Sequence, residues 1–85
     1  MGAEPKEGNV VKIEKNGKVK VERDGIKVQV TGWVVPILRI AIADKWGKKS
    51  YKSSYQVDDD RLWASAEYRT KVAEQFIDRA LGQRK

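Results

Sequence analysis

The sequence predicts an α+β domain: an antiparallel β-meander of three to five strands with one C-terminal helix packed on one sheet face. Two observations predict the strands. Short segments alternate apolar and polar residues, and the turn-forming pairs Asn16-Gly17 and Asp24-Gly25 separate them. A third observation predicts the helix, because apolar residues recur at helical spacing towards the C-terminus. One helix covers one sheet face, so the other face is left to solvent or to a partner.

The chain of 85 residues is expected to form a single domain over residues 10–85, after a flexible tail over residues 1–9. The tail has no signal-peptide core, and no apolar run approaches transmembrane length. We therefore expect a cytoplasmic protein without a membrane partner. The absence of Cys and His excludes disulfides, thiolate metal sites, zinc sites and His-based acid–base catalysis.

The first three strands have the most regular alternation. Gly32 to Pro36 is predicted to form a bend, with Gly32 as a candidate bulge, because proline does not fit inside a central strand. Two further strands flank a polar turn over residues 44–48. The predicted strands are residues 10–14, 18–23, 26–31, 37–43 and 49–57.

The run Asp58-Asp59-Asp60 is expected to begin the helix. One of these carboxylates would cap the first turn, and the positive end of the helix dipole favours all three there. A magnesium site is the competing interpretation, but no second carboxylate cluster completes it. We therefore expect no metal and no cofactor. The helix should extend to about Leu81, with Gly82 as the residue that ends it. Its predicted apolar stripe is Leu62, Trp63, Ala66, Val72, Ala73, Phe76, Ile77, Ala80 and Leu81.

The positive charge lies in the predicted sheet. Residues 1–57 contain 12 Lys/Arg and 6 Asp/Glu, whereas residues 58–85 contain 6 of each. The formal net charge of +6 therefore belongs to the strands, and the helix is neutral. A sheet with one cationic and one apolar face is suited to bind a polyanion.

Strand alternation predicts which residues share a face. The side chains expected to face the helix are Val19, Val21, Ile26, Val28, Val30, Leu38, Ile40 and Ile42. The opposite face, called the open face below, is expected to carry Lys18, Lys20, Lys27, Gln29, Thr31, Arg39, Lys52, Ser54 and Gln56. The turn that follows the fourth strand adds Lys45, Trp46, Lys48 and Lys49. These residue types contact phosphates and base edges, and tryptophan can stack on a base.

A solvated face is the alternative interpretation, because lysines also protect edge strands from aggregation. Two observations favour binding: the donors are varied, and Glu22 is the one acidic residue placed on that face. Trp33 and Trp63 are expected in the core, and Tyr51 and Tyr55 under the helix.

Several short motifs are shared with a known family. They are Leu38-Arg39-Ile40, Gly47-Lys48-Lys49-Ser50-Tyr51, Val57-Asp58-Asp59-Asp60, Ala66-Glu67-Tyr68, Phe76-Ile77-Asp78 and Leu81-Gly82. From Val19 to Gly82 the pattern resembles the arm-type DNA-binding domain at the N-terminus of phage-type tyrosine recombinases (integrases). In that family a three-stranded sheet enters the major groove and the helix packs behind it. The resemblance implies DNA contacts by Lys27, Gln29, Arg39, Lys52 and Ser54.

The sequence thus predicts a nucleic-acid-binding domain, with duplex DNA as the expected partner. Two alternatives stay open. One is a single-stranded DNA- or RNA-binding protein with an architecture similar to the Pur-alpha or positive-cofactor-four type, often a homodimer. The other is a non-enzymatic phage protein-interaction module. No Gly-rich phosphate loop, nucleophile elbow or paired-carboxylate pattern is visible, so we expect no catalytic residues and no enzyme.

Overall fold

The computed structural model describes residues 8–44 and 50–82, without the side chains of Asp44, Ser50 and Tyr51. These residues form the predicted α+β arrangement of a five-stranded antiparallel sheet and one C-terminal α-helix. The elements are β1 (Val10–Ile13), β2 (Val19–Arg23), β3 (Ile26–Val34), β4 (Ile37–Asp44), β5 (Ser50–Gln56), a short 3-10 helix (Asp60–Leu62) and α1 (Ala66–Gly82).

The strands lie in the order in which they occur in the chain, from β1 to β5, and each pairs antiparallel with the next. The predicted turn pairs make the first two connections. Asp24 and Gly25 have φ angles of 52° and 85°, and Gly17 has a φ of 87°. Asp and Gly tolerate this left-handed region, which a tight hairpin requires.

β3 is longer than predicted, because the bend is confined to Val35 and Pro36, which are joined by a cis peptide bond. The register shifts between Gly32 and Val34, so the irregularity follows Gly32, the residue that the sequence predicts as a bulge. Gly32 pairs with Leu38 and Val34 pairs with Ile37, so Trp33 between them has no cross-strand partner. The bulge therefore keeps Trp33 inside β3 while removing it from the regular pairing.

The core lies between the sheet and α1. Every residue predicted to face the helix is at most 6% exposed. The helix packs on β2 and β3 and contributes Val72, Ala73, Phe76 and Ile77 to the core. Apolar burial of this kind stabilises by about 25 cal/mol per Å² of area removed from water, so the alternation fixes which face of the sheet the helix covers.

The helix begins later than predicted. Asp59 caps the 3-10 helix, because its carboxylate accepts a hydrogen bond from the backbone N–H of Arg61. α1 begins after Ser65, whose hydroxyl accepts from the N–H of Tyr68 at 3.2 Å. Leu62, predicted to lie in the apolar stripe, belongs to the 3-10 helix and is 38% exposed. The acidic run is thus a cap, but of the shorter helix. At the other end, Gly82 lies inside α1.

A buried arginine fastens α1 to the sheet. Arg69 is 4% exposed; its Nε donates to the carbonyl of Trp63 at 2.8 Å and its Nη1 to the carbonyl of Gly17 at 2.8 Å. Its guanidinium lies 5.1 Å from the Trp63 ring centroid. The Trp63 indole in turn donates to the carbonyl of Ile37 at 2.9 Å. This cluster passes over Gly32. Glycine leaves room for it, because a Cβ at this position would clash with Trp63 and Arg69.

Two polar contacts hold the far part of the helix. Asn9 is buried and donates to the Glu74 carboxylate at 3.0 Å. Arg23 forms an ion pair with Asp78 at 2.6 Å. Asn9, which the sequence places in the flexible tail, is therefore packed on the domain. No helix among residues 8–44 and 50–82 is long and apolar enough to cross a membrane.

Substituting Gly32 by Ala should destabilise the protein. The added Cβ would lie 2.6 Å from Cζ2 of Trp63 and 2.7 Å from Nη2 of Arg69, so the cluster must shift. We expect a loss of about 1–3 kcal/mol in the free energy of unfolding, measured by urea denaturation. Gly82→Ala is the matched control, because nothing lies within 4 Å of its Cβ position. Equal effects of the two substitutions would contradict this account of the cluster.

The free energy of unfolding should also change with pH in the alkaline range. A hydrogen bond with Tyr55, together with burial and the Asp58 carboxylate, raises the pKa of Tyr68 to about 12. The folded protein therefore keeps a proton that the unfolded phenol loses near pH 10. This contribution to the free energy of unfolding is complete below about pH 10 and falls as the pH rises through about 12. Tyr55→Phe should weaken the fall in urea titrations, and an unchanged pH dependence would contradict it.

Candidate nucleic-acid interface

The strand register places cations in rows across the open face. Residues directly opposite one another on paired strands share a face. One such row crosses all five strands and is called the central row: Lys12, Lys20, Gln29, Ala41 and Lys52. A second row, the arginine row, joins Thr31, Arg39 and Ser54. A third contains Val10, Glu22, Lys27 and Ala43. The open face is thus an ordered array of cations and small polar groups.

Nine of the predicted site residues lie within the described part of the chain. The strand register brings eight of them to one face, and Lys18 lines a depression of that face. The nine residues are Lys18, Lys20, Lys27, Gln29, Thr31, Arg39, Lys52, Ser54 and Gln56. Lys27, Arg39, Lys52, Ser54 and Gln56 are exposed, and the other four are half-buried. The remaining predicted site residues, Lys45, Trp46, Lys48 and Lys49, lie outside the described residues.

One cation and one aromatic residue of this face are absent from the predicted set. Lys12 lies opposite Lys20 and is exposed. The alternation of Val10–Ile13 indicates this position, because Val11 packs against the core and Lys12 therefore lies on the opposite face. Trp33 is the second, and the prediction that it lies in the core is wrong, since it is 55% exposed. Extending the alternation of β3 by two residues beyond Thr31 places Trp33 on the open face.

Trp33 and Arg39 form a stacked pair. The Arg39 guanidinium carbon lies 4.3 Å from the Trp33 ring centroid, within the range of a cation–π contact. Together with Lys52, Ser53 and Ser54 they line a shallow depression of about 370 Å³. By contrast, Trp63 is half-buried against the core, as predicted, and Tyr55 meets Phe76 edge to face with centroids 6.4 Å apart. Trp33 is thus the exposed member of the two tryptophans that the structure describes.

The open face also carries more acid than the sequence suggested. Glu14 pairs with Lys20 at 3.0 Å. A hydrogen bond from Lys20 and the charges of Lys20, Lys18 and Lys12 hold the pKa of Glu14 below its ordinary value. Glu14 is therefore an anion placed among three lysines, so part of the central row is already neutralised by the protein itself.

Two further shallow depressions lie on the same face. One, of about 250 Å³, is lined by residues of the central row near β1 and β2 and by Glu22 and Lys27. The other, of about 220 Å³, lies between Lys18, Thr31, Arg39 and Lys52. Within the described ranges, no three or more acidic side chains gather into a group that could hold a metal ion. Lysine side chains line each of the three depressions of this face.

Comparisons of the chain with protein-family models, with curated proteins and with solved structures found no match.

Proposed function

We propose that the protein binds nucleic acid through the open face, by contacts of its lysine and arginine side chains with phosphates. The observation that carries the proposal is the segregation of charge across the sheet. The helix-facing side is buried and apolar, whereas Lys12, Lys20, Lys27, Arg39 and Lys52 project from the other side. Phosphate contacts of this kind supply most of the affinity of nucleic-acid-binding proteins that do not read sequence.

The composition of the face supports this proposal over a merely solvated surface. A surface that serves solubility intersperses both signs of charge and exposes few large aromatic side chains. Here the cations outnumber Glu14 and Glu22, the acidic residues of the described face, and Trp33 is exposed among them. Gln29, Thr31 and Ser54 add neutral donors and acceptors that can contact base edges or sugars.

Duplex DNA is the partner that the sequence and its resemblance to the integrase arm-type domain predict. The role proposed is binding, not catalysis. The affinity of the protein for a duplex and for a single-stranded oligonucleotide of the same length, measured at several salt concentrations, compares the two forms directly. A protein-interaction module would show no salt-sensitive affinity for either form, and sedimentation with and without oligonucleotide would then show the protein alone.

Removing cations of the open face should weaken binding and flatten its salt dependence. Lys27→Ala and Lys52→Ala should each lower affinity roughly 2- to 5-fold. Each lost phosphate contact should reduce the log–log salt slope by about 0.9 for duplex DNA or about 0.7 for a single strand. Lys71→Ala is the matched control, because Lys71 is an exposed lysine on α1. Fluorescence anisotropy at several salt concentrations measures both quantities.

Equal losses from Lys27→Ala, Lys52→Ala and Lys71→Ala would show that attraction to the net charge of the protein, not to the open face, explains the affinity. No measurable salt-sensitive affinity in the unmodified protein would remove the proposal altogether.

Glu14→Gln should strengthen binding. The substitution removes an anion that lies 3.0 Å from the Lys20 ammonium, so that Lys20 becomes available to a phosphate. We expect a rise in affinity of roughly 2- to 5-fold at low salt, which disappears at high salt. The same anisotropy titration measures it, with Glu67→Gln on the exposed face of α1 as the matched control. Equal gains in both variants would contradict the assignment of Glu14 to the binding face.

A further inference from the structure

We infer that the open face takes a single-stranded segment of nucleic acid, with one unpaired base stacked on the pair formed by Trp33 and Arg39. This inference rests on the proposed function and specifies a single strand, in place of the duplex that the sequence predicts. It also assigns a binding role to Trp33, which the sequence patterns place in the core.

The exposure of Trp33 is the first argument. More than half of its surface is accessible, at 55%, although burial of an aromatic side chain is a large source of stability. The bulge leaves Trp33 without a cross-strand partner, so its ring is not part of the regular pairing of β3 and β4. The fold thus holds a large aromatic ring at the surface, next to cations, on the same face as the rows of donors.

The geometry of the stack is the second argument. Arg39 is exposed, and its guanidinium carbon lies over the Trp33 ring at 4.3 Å from the ring centroid. Unpaired bases stack on both indole rings and guanidinium planes. The depression of about 370 Å³ beside the pair includes Lys52, whose ammonium can reach the phosphate next to a stacked base, and Ser54. Aromatic platform, cation and small hydroxyl groups therefore meet in one recess.

The width of the sheet is the third argument, and it disfavours a duplex. Five strands at the usual spacing make a face about 19 Å wide, whereas the major groove of B-DNA is about 12 Å wide. The open face therefore cannot enter that groove as a whole. A duplex resting on the face would present phosphates and sugars, because its bases are stacked on one another. Trp33 and Arg39 find a free base surface only on an unpaired nucleotide.

The test compares three probes of about 12 nucleotides: single-stranded oligothymidine, the same strand with abasic sites, and a mixed-sequence duplex. Fluorescence anisotropy measures affinity for the unmodified protein and for Trp33→Leu, Trp33→Phe and Val34→Ala. Leucine keeps apolar surface but has no ring, and phenylalanine keeps a ring. Val34 is the matched control, since it is the neighbouring exposed apolar residue of β3, at 57%. Thermal unfolding followed by circular dichroism establishes that each variant is folded.

We expect oligothymidine to bind more tightly than both the abasic strand and the duplex. Trp33→Leu should lower affinity for oligothymidine roughly 5- to 150-fold, the range for one stacked base, with a smaller loss for Trp33→Phe and none for Val34→Ala. The loss should vanish on the abasic strand. In two-dimensional NMR spectra the Trp33 indole N–H signal, identified by its absence in Trp33→Phe, should shift on binding.

The failure of this inference and that of the proposed function have different outcomes. Tighter duplex binding, or an affinity for oligothymidine that Trp33→Leu leaves unchanged while Lys52→Ala lowers it, would overturn the stacking inference and leave nucleic-acid binding in place. The absence of salt-sensitive affinity for all three probes would overturn both.

Discussion

The structure depends on the packing of one helix against one face of a five-stranded sheet. A single helix can bury only one face, so the apolar side chains of the strands must all point towards it. Arg69 fixes where the helix lies, because its guanidinium reaches from α1 to the carbonyl of Gly17 at the β1–β2 turn. Its stack on Trp63 passes over Gly32, and burial lowers the pKa of this guanidinium below its ordinary value. A charged group, satisfied by carbonyl oxygens and an aromatic ring, thus sets the register between helix and sheet.

The open face follows from that constraint. Since the strand period is two, each residue that does not face α1 faces outward, and the register of five strands aligns these residues into rows. The strand register therefore places the lysines side by side, although contacts between like charges do not stabilise that arrangement. Their mutual repulsion is relieved in part by Glu14, which the β1–β2 connection brings beside Lys20. The rest of the charge remains directed at solvent, which is the arrangement on which the proposed function depends.

Much of this architecture could be predicted from the sequence, because alternation and turn-forming pairs are local signals. Asn16-Gly17 and Asp24-Gly25 gave the hairpins, and the period of two gave the buried set. The position of Trp33 was missed because the predicted strand ends at Thr31, so that the alternation was not extended to the two residues that place Trp33 on the open face. The start of α1 was also missed. Three aspartates are a strong capping signal, but they do not reveal that the chain makes a separate 3-10 turn before Ser65 begins the longer helix.

The chemical make-up of the open face has a consequence for how a ligand would be released. Its cations are lysine and arginine, side-chain types that remain charged throughout the neutral range, and the chain contains no histidine. Of the two acidic residues among them, Glu14 has its pKa lowered by a hydrogen bond from Lys20. The surface therefore lacks histidine, the side-chain type whose ordinary pKa lies in the physiological range. Under the proposed function, ionic strength, which screens exposed charges over about 8–10 Å, would control the occupancy of this surface. Release of a ligand from this surface would then follow a rise in salt and not a change in acidity.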